Sequence, residues 1–323
     1  MNIKRFMALG LAAGATAGLL ASCASEQPGP AQRLAARPAP SAPAPASRDG
    51  DLIAQASAFE SYMRHARAIE PDFSGPGDVA QAVQAGARHA PVELESGMVA
   101  YAALAALQEP RFVAAVRADK SGDLARRIAA DPRTALTLPG GEAAGARASG
   151  ALYAQGSALA AEGQKVKRAS YSIQHQAWSK GQASDHAAEL ARVKRAGQAG
   201  YQPERGDGEH VAEALSESGR RGGPASPLVT HGVALAALSL LGQEGRGRGL
   251  ASDVHTGSCL RIAKLNYHQC LASAGPHYED IYCLGQHAMI DPGQCVVEAT
   301  EVRTVRIASA PARPAVTRAS YRR

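Results

Sequence analysis

Four cysteines in the last fifth of the chain, Cys259, Cys270, Cys283 and Cys295, carry the spacing with the most chemical content. Thiols gathered in this way either oxidise in pairs or bind a soft metal. Three histidines lie among them, His268, His277 and His287, and Cys283 with His287 forms an i, i+4 pair on one helical face. Structural zinc sites, however, usually place cysteines two to four residues apart, and no two of these four are so close. In a compartment that oxidises thiols, two disulfides are the expectation and zinc the competing reading.

Elsewhere the chemistry-bearing residues are sparse. Two His-x-x-Glu pairs, His186/Glu189 and His210/Glu213, each offer an imidazole and a carboxylate at i, i+3. Their order is opposite to the Glu-x-x-His of di-iron bundles. Glu93 and Glu95, near Ser96, are acids of the kind a glycosidic hydrolase uses to protonate its leaving group. Sugar clefts rely on stacking surfaces, though, and aromatic residues make up only 4% of this chain. Acids at a helix start are also common simply because they suit the helix dipole. No phosphate loop, dinucleotide glycine fingerprint, G-x-S-x-G or H-E-x-x-H run is present. The sequence therefore assigns no catalytic residue, no metal ligand and no cofactor.

The elements that hold the cysteines set their pairing. Leu260, Ala263, Tyr267 and Leu271 recur at helical spacing, so Cys259 and Cys270 belong to one helix. Eleven residues of helix separate its ends by about 16 Å, too far for one disulfide between them. Gly275-Pro276 ends that helix, and Tyr278, Ile281 and Tyr282 suggest a second. Folding back at Gly275-Pro276 sets Cys270 opposite Cys283 and Cys259 opposite Cys295, both pairs centred near residue 277. The crossed pairing, Cys259 with Cys283 and Cys270 with Cys295, is the alternative. The arrangement is similar in outline to twin-cysteine helical hairpins of the coiled-coil-helix-coiled-coil-helix type. It departs from them in spacing, and Asp291-Pro292-Gly293 is expected to break the second helix before Cys295.

The amino terminus bears on the compartment. Lys4 and Arg5 precede a mostly apolar stretch over residues 6–20, of signal-peptide length and short for a membrane span. It ends in Leu20-Ala21-Ser22-Cys23, which resembles the lipobox of exported bacterial lipoproteins. That resemblance implies cleavage after residue 22 and acylation of Cys23. Ala24, in place of Asp, implies the periplasmic face of the outer membrane. An ordinary signal peptide is the plainer reading, since Ser22-Cys23-Ala24 also passes for a small-x-small cleavage site. Two or three acyl chains at about 0.8 kcal/mol per buried methylene make a stable anchor. The formal charge of +6 loses two cations with the leader, leaving a mild basic balance that does not call for nucleic acid.

The rest of the chain reads as helix and connection. Residues 23–50, rich in Ala and Pro, form a linker reaching at most roughly 80 Å, a passive tether. Residues 51–200 are expected to be a bundle-like helical domain. Its helices start near Leu52, Asp78 (as a cap), Pro91, Phe112, Leu124, Gly141 and Asp185. The longest, 141–180, steps Leu152, Leu159, Val166 and Ile173 by seven, and its glycines at 145, 150, 156 and 163 mark either close helix contact or breaks. Trp178 near its end is expected to anchor in the core. Residues 201–227 read as a Gly-rich loop or linker. Residues 228–300 comprise an apolar helix near 229–241 and the stapled hairpin, with 296–307 alternating as a strand would. The tail, 301–323, has six arginines and no acid after Glu301, which suits anionic lipid or an acidic wall polymer as well as a frayed end. The fold expected is mostly α, a helical domain followed by a disulfide-stapled helical hairpin. The function expected is a lipid-anchored envelope protein with a structural or partner-binding role. Its partners would be membrane lipid through Cys23 and an envelope protein or wall polymer, without nucleic acid. The alternatives are a wall-modifying enzyme using Glu93, Glu95, Glu189 or Glu213, and a metal-binding protein.

Overall fold

The computed structural model describes residues 52–182 and 185–302. Among them the chain is 74% helical, with twelve α-helices and no strand. The leader, Cys23, the linker and the arginine tail from residue 303 onward lie outside the described residues.

Prolines and small polar caps set the helix starts. After α1 (Leu52–Arg67), α2 (Pro76–Gly86), α3 (Pro91–Ala106) and α4 (Pro110–Arg117) all open on a proline, whose missing N–H needs no partner in the first turn. Asp78 is not the cap expected. It lies in the first turn of α2 and accepts from the Ser74 hydroxyl at 2.6 Å and the Ser74 backbone N–H at 2.9 Å, which together hold its carboxyl below the usual range. A short α5 (Leu124–Ala130) precedes the long α6 (Gly141–Ile173). Asp185 caps α7 (His186–Gln198) by accepting from Ala188 N–H at 2.9 Å.

The stretch expected as a loop, 201–227, contains α8 (Asp207–Ser216). Only Val211 and Leu215 give α8 apolar weight, yet both are buried, and the helix packs on α1. The rest of the stretch is clamped. Arg220 donates to the buried Glu109 carboxylate at 2.8 Å, and Arg221 donates to Thr300 at 2.7 Å with its guanidinium over the Tyr153 ring. Polar anchoring, which composition does not reveal, orders this segment. Ser226 then caps α9 (Pro227–Leu240), and its hydroxyl donates to the Ala299 carbonyl at 2.5 Å.

Asp253 caps α10 (Val254–Ser273), followed by α11 (His277–Cys283), a π-helical stretch over Leu284–Ile290 and α12 (Asp291–Glu298). Asp291-Pro292-Gly293 does not break this run. Pro292 falls in the first turn of α12, and the widened π turns ahead of it leave room for its ring. Val296 and Val297 are helical, so the strand suggested for 296–307 is not formed there, and residues from 303 onward lie outside the described part.

The buried centre is α3, with Leu94, Met98, Val99, Tyr101 and Ala102 inaccessible around its whole girth. It packs against α1, α6 and α9. One face of α6 meets α3, and another meets the π stretch and α12, so the described residues of 52–200 and those of 228–300 share one core. Two glycines of α6 make the second contact close. A Cβ on Gly156 would lie 2.6 Å from the Gly293 carbonyl oxygen, and one on Gly163 would lie 2.7 Å from Met289 Cβ. Neither glycine marks a break. Gly145 is in ordinary van der Waals contact.

Disulfides join Cys259 to Cys295, with Cα atoms 5.7 Å apart, and Cys270 to Cys283, at 5.6 Å. Both therefore start on α10 and tie it to the run α11–π–α12.

Candidate functional site

The sequence-derived candidates are scattered. His210, half-buried, and Glu213, exposed, stand 3.9 Å apart on α8. Glu189 is buried on α7, and its charge helps push the buried Asp280 carboxyl up to about 7, behind the larger effect of burial. His186 lies on the same face of the helix end with Nε2 buried. Glu95 is a structural acid: it accepts from Asp253 N–H at 2.6 Å at the start of α10, and burial raises its pKa. Of the histidines among the cysteines, His287 bonds Asp291 at 2.7 Å and His277 sits 3.7 Å from Asp280. His268 is half-buried, its pKa lowered by burial and by Lys264 and Lys194. Among the described residues, no three His, Cys, Asp or Glu side chains gather closely enough to hold a metal ion. Trp178 is half-buried at the edge of the core, its indole N–H donating to Gln176 at 2.6 Å.

One acid candidate, Glu93, does line a cavity, of about 440 Å³, that the sequence did not disclose. Its walls are Ala58, Ser61, Tyr62 and His65 from one face of α1, the turn between α2 and α3, and the connection from α7 to α8. The spacing 58, 61, 62, 65 is that of a single helix face.

Hydrogen-bonded anchors shape this cavity. Lys264 of α10 donates its ammonium to the carbonyls of Ala87 at 2.8 Å, Gly197 at 3.4 Å and His89, knotting α2, α3 and α7 together. Burial lowers its pKa to about 8. Glu93 accepts from Tyr201 N–H at 2.9 Å, which draws the α7–α8 connection over the opening. Gly200 makes that turn with a φ of +67°, and a side chain there would meet strain as well as the Glu93 carboxylate. Tyr201 in turn donates its hydroxyl to Asp207, and Tyr62 donates to the Ala288 carbonyl.

At the wall stands His89, only 5% exposed. Its ring lies on that of Tyr62, with centroids 4.3 Å apart. Neither ring nitrogen has a hydrogen-bond partner at good geometry, and both are buried. Burial, then Lys264 and His268, push its pKa well below the ordinary imidazole value, against a hydrogen bond to the Gly86 backbone, which raises it. The ring is therefore neutral at pH 7, one nitrogen a donor and the other an acceptor. The only sequence trace of His89 was its place before a proline-started helix, which does not distinguish it from any turn residue.

A second feature lies on α10. Val254, Ile262 and Leu265 are 80%, 55% and 55% exposed, on the side turned away from Leu260, Tyr267 and Leu271. Beside this row runs an open groove of about 350 Å³, lined by Ile262, the Cys259–Cys295 bridge, Asp291 and Glu298. No helix among the described residues is long and apolar enough to cross a membrane. No protein-family model, curated protein or solved structure matches the chain.

Proposed function

We propose that the chain is a lipid-anchored module of a bacterial cell envelope, held on the periplasmic face of the outer membrane through Cys23, that binds a protein partner and catalyses no reaction. The observation that carries this reading is the double brace on α10. Both disulfides start on that helix, and its outward side carries the exposed row Val254, Ile262 and Leu265. Disulfides belong to an oxidising compartment, in keeping with the export signal that Leu20-Ala21-Ser22-Cys23 resembles. Cross-linking a helix at two points fixes its outer face before any partner arrives, which reduces the ordering cost of association.

Two experiments test the two halves. Fatty-acid labelling of wild type and Cys23→Ala in cells should mark only the wild type; equal label removes the anchor. A photo-crosslinking residue at position 262, compared with one at the somewhat more exposed Val92 on α3, should capture an envelope protein only at 262. The captured peptide should be apolar. Capture of lipid alone, or the same products from both positions, refutes the partner face. Release of soluble fragments from isolated sacculi, lost on changing Glu93, Glu95, Glu189 or Glu213 to Gln, would replace the reading with an enzyme.

A further inference from the structure

We propose that the surface where the end of α6 meets α11 docks on an anionic phospholipid membrane, its tyrosines among the headgroups and its cations against the phosphates. The inference depends neither on acylation of Cys23 nor on the partner face of α10. It starts from where an aromatic-poor chain leaves its rings. Of the twelve aromatic side chains among the described residues, six are buried. Tyr153 lies beneath the Arg221 guanidinium, and Tyr201 is tied to Asp207. The other four, Tyr171, Trp178, Tyr278 and Tyr282, belong to the last turns of α6, the tight turn Trp178–Lys180 and α11. Tyr171 is 54% exposed and meets Tyr282 edge-on, with ring centroids 6.3 Å apart. Tyr278 and Tyr282, both half-buried, lie one turn apart on the same face of α11. Trp178 stands by the start of α11, 6.5 Å from the His277 ring. Among the described residues, the hydroxyls of Tyr171, Tyr278 and Tyr282 have no partner in the protein.

The polar groups around these rings select the partner. From residue 163 to residue 184 the chain carries Lys165, Lys167, Arg168 and Lys180 and no acid. Lys165 pairs with Glu162, and Lys167 reaches the Tyr282 ring and the Gln286 amide. Arg168 and Lys180 are exposed and form no ion pair among the described residues. Arg168 precedes Tyr171 by one turn of α6, and Lys180 follows Trp178 by two residues, so both flank the rings. On α11 the acids are withdrawn from this face: Asp280 is buried, and Glu279 accepts from Gly275 N–H at 2.8 Å. A neutral sugar would call for amide groups at hand, but those nearby are spent within the protein. Gln174 donates to the Tyr171 carbonyl, Gln176 accepts from the Trp178 indole, and Gln286 accepts from Lys167. What the surface offers to solvent is tyrosine and cation. That combination suits the boundary between acyl chains and headgroups, where a ring is apolar at one end and wet at the other. Lysine and arginine are drawn to the anionic phosphates there.

Trp178 is the only tryptophan in the chain, so its fluorescence reports from this surface alone. The full chain is titrated with vesicles of phosphatidylcholine alone and of phosphatidylcholine mixed with phosphatidylglycerol, both carrying lipids brominated near the headgroup end of the acyl chains. The expected result is quenching and a blue shift of Trp178 with the phosphatidylglycerol vesicles only, reversed by high salt. Quenching reads contact of this surface with lipid rather than attachment of the chain, so the comparison holds whether or not Cys23 is acylated. Changing Arg168 and Lys180 together to glutamine should raise the phosphatidylglycerol content needed for half-maximal quenching by about fivefold or more. Both side chains are exposed, so the double variant keeps the fold, and an unchanged melting temperature checks this. The proposal is overturned by equal quenching in both kinds of vesicle, by no quenching in either, or by quenching that the double variant leaves unchanged. A Trp178 shift on adding soluble cell-wall glycan fragments, with none on adding phosphatidylglycerol, overturns it in favour of a sugar.

Discussion

Two glycines on the same helix, α6, should respond to alanine in opposite senses. Glycine within a helix costs about 1 kcal/mol relative to alanine, so both Gly145→Ala and Gly156→Ala begin with a gain of that size. At Gly145 the new methyl meets Leu136 Cδ2 at 3.4 Å and Ala225 Cβ at 3.6 Å, ordinary contacts with side-chain ends. It adds buried apolar area, and the variant should be more stable by about 1–2 kcal/mol. At Gly156 the methyl meets the Gly293 carbonyl oxygen at 2.6 Å and Val296 Cβ at 2.9 Å. The oxygen belongs to the backbone of α12 and moves only if the whole helix moves. Overpacking costs about 1–3 kcal/mol, occasionally more, and a backbone clash belongs at the upper end. The net effect is a loss of about 2 kcal/mol, which places the two variants roughly 3 kcal/mol apart. For a folded region of this size that separates their melting temperatures by about 6–12 °C. Denaturant and thermal unfolding of both oxidised variants measure it directly. Gly156→Ala at or above wild-type stability would refute the close helix contact on which the joined core rests.

Three further outcomes follow from single groups. Replacing Cys270 and Cys283 by serine opens a bridge of sequence separation 13 and should cost about 3 kcal/mol, and replacing Cys259 and Cys295, of separation 36, about 4 kcal/mol; hydrogen exchange should show the loss concentrated over residues 284–296. The Asp280 carboxyl is raised to about 7 in the fold against 3.8 when unfolded, by burial first and then by Glu189 and Glu279. Folding above pH 4 therefore requires holding a proton that the unfolded chain releases, and the penalty grows until pH ~7 and then levels off. Asp280→Asn should accordingly match wild type near pH 4 and exceed it by a few kcal/mol at pH 8, as read by unfolding at both pH values. Ser226→Ala removes the cap of α9 and the bond to Ala299 together, and should cost about 1–2 kcal/mol in the same assay.

The sequence was most legible where one local rule acts alone. Pro91 opens a helix, as its position implied, because a missing N–H is harmless in the first turn. The disulfide partners follow from symmetry about a single turn, since Cys259 and Cys270 share one rigid helix. Legibility failed where a long-range contact overrides a local preference. The α8 segment looks like linker because its glycines and acids hide two apolar residues, and Arg220 and Arg221 order its end through Glu109 and Thr300, 111 and 79 positions away. Asp291-Pro292-Gly293 looks like a helix stop because the π turns before it have no recognisable composition. The cavity was invisible for the same reason. Tyr62, His89 and Tyr201 come from three separate segments, and only the Lys264 and Glu93 anchors bring them together.

The two cross-links stand at the ends of a close helix seam. Where α6 meets the run from α11 to α12, Gly156 and Gly163 on one side and Gly285 and Gly293 on the other let the backbones approach, with Val296 seated over Gly156 and Met289 and Ile290 over Gly163. Close approach gains dispersion, but each glycine raises the entropy of the unfolded chain. Cys283 lies two residues before Gly285, and Cys295 two residues after Gly293, so each bridge fixes one end of the glycine seam to α10. Closing a loop restricts the unfolded chain, which opposes the very entropy the glycines add. An aromatic content of 4% leaves few large side chains for an alternative lock. The same α10 that receives both bridges extends Lys264 to the carbonyls around His89. The Lys264 anchor of the cavity and the exposed row thus belong to one helix, held at two covalent points.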